Sequence, residues 1–394
     1  MKHLFYNGKI LGQEQLIDRG YVLVDKGVIV EMGEGECTVS PAPDMALTDL
    51  KGLYLSPGFI DSHTHGGGGC DYMDGTTEAV VTAARLHLAH GTTTICPTSM
   101  ASFDEELWAF LDAFQQAKSI KDHMPHLHGI HLEGPYFSPE QAGAQPPQCM
   151  TKPFPHHFFS VVERARGSIV RWSSAPEVEG VIPMGDECIR LGILPSMAHT
   201  NADYPLIRRA MEHGYHHLTH FYSGMSSLHR VKGYRILGAV EAGYLEDDLY
   251  IELIADGIHL PPELLKMILK CKDHDHISLV TDSMRAAGMA EGPSVLGSLK
   301  NNYKVIVEDG IAKVPDRQCF AGSVATADRL VRVMNQEAGL SIWEAVKMIS
   351  QNPAKLLKIF DQTGSIAVGK AADLLIFDEN IGIQEVYVDG EQMG

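Results

Sequence analysis

Between residues 58 and 281 short apolar runs recur, each closed by a Gly, Pro, Asp or His turn signal and followed by a stretch with helical spacing. The candidate strands are 58–62, 92–97, 127–132, 169–174, 193–198, 217–221, 250–254 and 277–281. Segments such as 76–91, 103–118 and 204–214 lie between them and carry apolar residues three and four apart, the spacing of an amphipathic helix. Strands alternating with helices in this way predict an α/β fold, a (β/α)8 TIM-like barrel over residues 58–360. Helical stretches at 325–339 and 341–359 would close its side. The flanks differ: residues 1–57 and 361–394 show glycine-punctuated, hairpin-like runs (HLFYNGKIL, GYVLVDKGVIVEMG). They predict a small β-sandwich domain built by both termini, with the barrel inserted between them.

Composition narrows the class. The chain has 394 residues, 44% of them hydrophobic, which is ample for one large barrel with a smaller domain. No apolar run approaches the roughly 18–20 residues of a membrane span. The first residues, MKHLFYNGKILGQEQ, lack the apolar stretch of a signal peptide, so the expected location is cytoplasmic. Seven cysteines, including Cys37, are scattered without Cys-x-x-Cys spacing, against a disulfide framework or a thiolate zinc site. A net charge of -18 disfavours nucleic acid and anionic membrane surfaces as partners. An anionic small molecule remains possible where basic groups cluster locally.

The chemistry begins at PGFIDSHTHGGGG, residues 57–69. Residues i and i+2 of a strand share a face, so His63 and His65 form a two-pronged metal claw. Four glycines follow, which would let backbone pass close to whatever sits above. Alone the motif is weak. It gains weight because active-site groups of such barrels sit at the C-terminal ends of strands. There the third strand offers Glu133, the fifth His199, the sixth His220, the seventh Asp256 and His259, and the eighth Asp282. Four histidines and two carboxylates suffice for one or two divalent ions, with Glu133 placed to bridge them. Imidazole and carboxylate suit Zn, Fe, Mn or Co. Such ions lower the pKa of bound water towards about 7 and polarise a carbonyl oxygen. Asp282 is the natural general base and, later, the acid for a departing nitrogen. His131 is expected to pack inside or orient ligands, Asp61 to make a structural hydrogen bond, and His87 to be solvated or capping.

These motifs, with HLEGPYF, AHTNA, THFYSGM, IADGIH, VTDSM, QNPAKLL and GSIAVGKAADLLIFD, resemble the amidohydrolase superfamily. More closely they resemble its N-acetylglucosamine-6-phosphate deacetylase family, over essentially the whole chain. The resemblance implies that Glu133, His199 and His220 bind a principal metal, and that His63 and His65 hold a second ion present in only some members. It makes Asp282 catalytic and places His259 on the sugar. Many amidohydrolases bridge their metals with a strand-four lysine; IVRWSSAPE has none, and Glu133 looks like its replacement.

Three departures bear on the substrate. Gln145 stands where the family often has a substrate-facing histidine, and can donate a hydrogen bond but not titrate. Ser223 and Gly224 replace an Asn-Ala pair that helps hold phosphate. Arg285 follows Asp282 where small residues are usual. Arg230, with Lys232 and Arg235, lies in the loop that supplies a phosphate-binding arginine, sometimes across a subunit boundary, so a homodimer is expected. The implied reaction converts N-acetylglucosamine 6-phosphate and water into glucosamine 6-phosphate and acetate, in amino-sugar catabolism. The same site could serve the galacto epimer, a cyclic amide or an N-acyl amino acid. A non-enzymatic sugar-phosphate sensor is the alternative from another class. Two ions per chain are expected.

Overall fold

A computed structural model describes residues 2–35, 45–301 and 303–393; Cys37 lies outside them. Eight strands carry the central region: β1 (Phe59–Thr64), β2 (Thr92–Pro97), β3 (Ile130–Glu133), β4 (Ile169–Ser174), β5 (Leu194–Met197), β6 (His217–Leu218), β7 (Tyr250–Leu253) and β8 (Ile277–Leu279). Each overlaps its predicted place, with ends displaced by at most three residues, as at the start of β3 and the end of β6. The strands β3 to β8 form one parallel sheet in chain order, and β1 and β2 pair in parallel within a second. A parallel bridge from Thr98 to His131 joins the two sheets on one side. On the other, the Asp282 backbone N–H donates to the His63 carbonyl at 2.9 Å. Nearly every residue of β1, β2 and β4 is buried, as expected of strands covered on both faces.

Helices follow the strands. Among them α1 (Thr77–Ala89) is capped by Thr76, whose side chain accepts the Ala79 N–H, and α2 (Asp104–Ala117) opens with three acidic residues at its positive end. The stretch 341–359 is two helices rather than one, Ile342–Ile349 and Gln351–Leu356. Pro353 has no N–H to donate, so it is tolerated only in the first turn of a restarted helix. Two elements escaped the pattern: a hairpin of His229–Val231 with Tyr234–Ile236, and a meander of Gly292–Leu296, Tyr303–Glu308 and Ile311–Lys313. Four of their five strands are only three to five residues long, too short to carry a periodic signal.

The two ends of the chain meet in one eight-stranded sheet. Tyr54–Pro57 pairs antiparallel with Leu374–Phe377 and parallel with the end of Lys2–Leu11. Phe5, Ile10, Val22, Val24, Leu55, Leu374 and Ile376 pack into its apolar core. At about 25 cal/mol per Å2 such burial is the main force holding the two ends together. His126, just before β3, reaches across to Asp373 at 3.2 Å and ties this sheet to the central strands.

Candidate active site

The tips of the central strands open onto a cavity of about 390 Å3, lined among others by His65, Glu133, Gln145, His199, His220, Ser223, Gly224, His259 and Asp282. Glu133 ends β3 and is buried. Its Oε1 lies 2.9 Å from His220 Nε2 and 3.2 Å from His199 Nε2; its Oε2 lies 3.4 Å from His65 Nε2. Asp282 Oδ1 is 3.1 Å from His65 Nε2 and 3.3 Å from His63 Nε2. At this cavity two groups of side chains could each hold an ion, His63 with His65 and Glu133, and Glu133 with His199 and His220; among the described residues a third group, His126 with Asp373 and Asp389, lies away from it. In each, the ligand atoms lie within 4.8 Å of one another.

The backbone aims these groups. His199, His220 and Asp282 follow β5, β6 and β8 with φ of 45°, 35° and 46°, in the left-handed region that non-glycine residues rarely adopt. Each turn lifts the chain out of the sheet and directs a side chain over the strand ends. The far ring nitrogens are anchored too. His199 Nδ1 lies 2.8 Å from the Gln141 carbonyl, and His220 Nδ1 lies 3.1 Å from the Ser223 carbonyl. A carbonyl only accepts, so each Nδ1 carries a proton, and Nε2 is the nitrogen that turns to Glu133 and that would give up its own proton to ligate an ion. This donor set fits a divalent ion.

Electrostatics hold the cluster together. Burial pushes the Glu133 carboxyl up, but hydrogen bonds from His199, His220 and His65 prevail and keep it well below the usual range. Burial likewise opposes the charged form of His65, yet Asp282 and Glu133 raise it well above the ordinary imidazole value. Asp282 is lowered against its own burial by His63 and His65. His131 is pushed well down by burial and Arg171; it bridges Ser173 Oγ at 2.7 Å and Thr98 on the floor of the site.

The substrate-side candidates divide. His259 Nδ1 lies 2.8 Å from Asp256 Oδ2, and its ring meets Phe320 edge-on, which leaves Nε2 for the cavity. Ser223 and Gly224 line the wall. Gln145 lines it as well, but its amide is committed: Oε1 accepts the Ala101 N–H at 2.8 Å, and Nε2 donates to Glu133 Oε2 at 2.5 Å. The structure does not bring Arg285 to the site. Its buried guanidinium donates to Asp74 and to the carbonyls of Gly69, Val295 and Gly297, so every face of it is taken by protein. Arg230 lies on the exposed hairpin, away from this chain's own cavity wall.

Further findings differ from expectation. The glycine run does not roof the claw. A Cβ on Gly66 would lie 2.3 Å from the Cys70 carbonyl, and one on Gly67 would lie 2.5 Å from Leu86, so these glycines admit a tight hairpin against α1. His87 is buried rather than solvated, bonds the Gly66 carbonyl at 2.9 Å, and is lowered to about 4 by burial. Asp61 makes the expected structural bond, accepting Thr281 Oγ1 at 2.6 Å. Sequence reasoning missed Glu252, Arg171 and the cavity wall formed by Arg317, Gln318, Cys319 and Phe320. A lone Glu between Ile251 and Leu253 in an apolar strand was the available signal for the first.

Parallel strands whose C-terminal tips gather imidazoles and carboxylates around one cavity are the arrangement of a metal-dependent hydrolase. Residues 54–393 match the model of the Amidohydrolase family. The chain is 31% identical to an N-acetylglucosamine-6-phosphate deacetylase of Vibrio furnissii, covering 98% of this chain and 94% of that one. It is 28% identical to an N-acetylgalactosamine-6-phosphate deacetylase of Escherichia coli O157:H7, covering 99% of each. A solved structure of an N-acetyl-D-glucosamine-6-phosphate deacetylase variant from Mycobacterium smegmatis, in complex with N-acetyl-D-glucosamine-6-phosphate, matches with a TM-score of 0.90. That match has 27% identity and covers 100% of this chain and 99% of that one. The chain belongs to the amidohydrolase family, and within it to the N-acetylglucosamine-6-phosphate deacetylases.

Proposed function

We propose that this protein hydrolyses the acetamido group of N-acetylglucosamine 6-phosphate, giving acetate and glucosamine 6-phosphate. The observation that carries the proposal is Asp282 Oδ1 beside the claw, 3.1 Å from His65 Nε2, at the cavity that Glu133, His199 and His220 also face. A divalent ion bound there supplies Lewis acidity, polarising a carbonyl and acidifying water. Glu133, His199 and His220 would hold one ion and His63 with His65 a second, Glu133 facing both; two per chain are proposed, of Zn, Fe, Mn or Co.

The side chains do the rest. Asp282 accepts a proton from the attacking water as the new C–O bond forms. It returns that proton to the nitrogen as the C–N bond breaks, so acetate and a free amine leave. His259, oriented by Asp256, donates from Nε2 to the substrate. Gln145 keeps Glu133 in place rather than meeting the sugar. Ser223 and Gly224 line the wall where the phosphate would rest, the Ser223 N–H being already given to the His220 carbonyl, and Arg317 is a cation in the same wall.

The surrounding assembly follows from the same reading. The eight central strands form the (β/α)8 barrel over residues 58–360, and residues 1–57 with 361–394 form the small β-sandwich domain. Lys2–Leu11 supports the sandwich by splitting one edge between Met45–Asp49 and Tyr54–Pro57. The protein works in the cytoplasm; among the described residues no helix is long and apolar enough to cross a membrane. It is a homodimer in which the hairpin brings Arg230 to the neighbouring subunit. Tyr234 and Leu228, 75% and 52% exposed beside it, are the apolar contacts such a docking would cover.

Acetate release is the test, from N-acetylglucosamine 6-phosphate and its galacto epimer, beside dihydroorotate and N-acetyl amino acids. Turnover of a phosphorylated amino sugar at least tenfold above the other substrates is expected. No turnover of either sugar phosphate would sink the proposal.

A further inference from the structure

Beneath the imidazoles the interior is polar and charged. Glu252, in the middle of β7, and Arg171, on β4, are both fully buried and form an ion pair through Nη1 and Oε2. Arg171 also donates from Nε to Ser196 Oγ at 3.0 Å and from Nη2 to Thr219 Oγ1 at 2.7 Å. The other Glu252 oxygen, Oε1, meets two groups. It lies 2.6 Å from His63 Nδ1 and accepts the His220 backbone N–H at 3.2 Å. Desolvating such a pair is expensive, and apolar side chains of similar volume often serve stability as well or better. Its presence calls for a role beyond filling the core.

The chemistry of the pair supplies one. A guanidinium stays charged and has only donors, so the carboxylate facing it is held ionised and can only accept. His63 must then carry its proton on Nδ1. Its Nε2 is then the nitrogen turned to the cavity, 3.3 Å from His65 Nε2 and 3.3 Å from Asp282 Oδ1. The same oxygen anchors His220 at the strained turn where φ is 35°. One atom therefore governs a ring of the claw and the backbone of a histidine in the other ligand group.

We propose that Glu252, kept charged by Arg171, is a positioning residue that couples the two metal half-sites. It sets the His63 tautomer through Nδ1 and pins His220 through its N–H. The inference rests on the metal reading above.

Zinc is titrated into metal-free wild type, His63→Asn and the double variant Arg171→Met/Glu252→Gln, in competition with a chromophoric chelator. The double variant removes both charges together, so no lone charge is stranded in the core. Wild type is expected to bind two ions, and His63→Asn to lose one and retain the other. The double variant should weaken both, each by roughly 10- to 100-fold, the range found when a group orienting a ligand is removed. Wild-type affinity for both ions, or a loss confined to one, overturns the inference. If the double variant does not fold, Glu252→Asp is judged by the same criterion, since it keeps the charge but withdraws the oxygen by one methylene.

A second readout needs no metal. In 15N spectra of the metal-free wild type, the resonance lost in His63→Asn should be that of an Nδ1–H imidazole. An Nε2–H tautomer overturns the inference. Wild type that binds no zinc but shows the expected tautomer defeats the metal reading instead, so the two failures are distinguishable.

Discussion

Gly224 stands beside His199 in a left-handed turn with φ of 56°, and a methyl group there would lie 2.9 Å from His199 Nδ1. Gly224→Ala should therefore lose about 1–2 kcal/mol from backbone strain and also tilt the ring away from Glu133. Denaturant unfolding and metals per chain would show both effects; wild-type values in each would mean the wall yields. Asp282→Asn removes the proton acceptor while preserving shape. It should lower kcat by roughly 100- to 10,000-fold with a much smaller change in KM, and an unchanged kcat in acetate-release assays would remove Asp282 from the mechanism. Asp282 was visible in the sequence because it falls at a strand tip, where position suggests chemistry, and Gly224 because it departs from the Asn-Ala pair that the family resemblance implies. Glu252 and Arg171 were not, because a charge inside an apolar strand gains meaning only from partners on other strands. Gln145 was visible, but not its commitment to Ala101 and Glu133, which a change of residue type cannot reveal.

At the scale of elements, the eight strands were legible because each is a compact apolar run with a turn behind it. The meander after β8 was not, and its absence misdirected Arg285. Without the strand Gly292–Leu296 there was nothing to occupy that guanidinium, so it was placed among the groups that bear on the substrate. In the structure it joins the loop after β8 to Asp74 and to the meander's own carbonyls. Arg285→Met should lower stability by about 3 kcal/mol, as expected when one partner of a buried pair is removed, without raising KM for a sugar phosphate in proportion. A large rise in KM with an unchanged melting temperature would return Arg285 to the substrate. The turns at His199, His220 and Asp282 belong to this scale too. Three strands end in the same strained conformation, which a pattern of residue types does not encode.

Across the whole molecule, the junction of the two terminal segments with the central strands sets a pH response. Burial lowers the Lys370 ammonium to about 8, and its Nζ lies 3.4 Å from the centre of the Phe360 ring. The folded chain therefore releases a proton that the unfolded chain keeps up to about 10.5. Stability contributed by this group rises as pH climbs from about 8 to 10.5 and is flat below that window. Melting curves of Lys370→Met against wild type should diverge most at low pH and converge above about pH 10; a gap constant across the window would contradict the shift. The terminal sheet has a further consequence, for synthesis on the ribosome. Tyr54–Pro57 emerges early, yet its partner Leu374–Phe377 lies near the other end of the chain. At about 5–20 residues per second, that edge waits on the order of tens of seconds with its backbone unpaired. Until the last strands arrive, the newborn chain presents a bare template for any stray strand, and its folding yield is set by whatever shelters that edge in the interval.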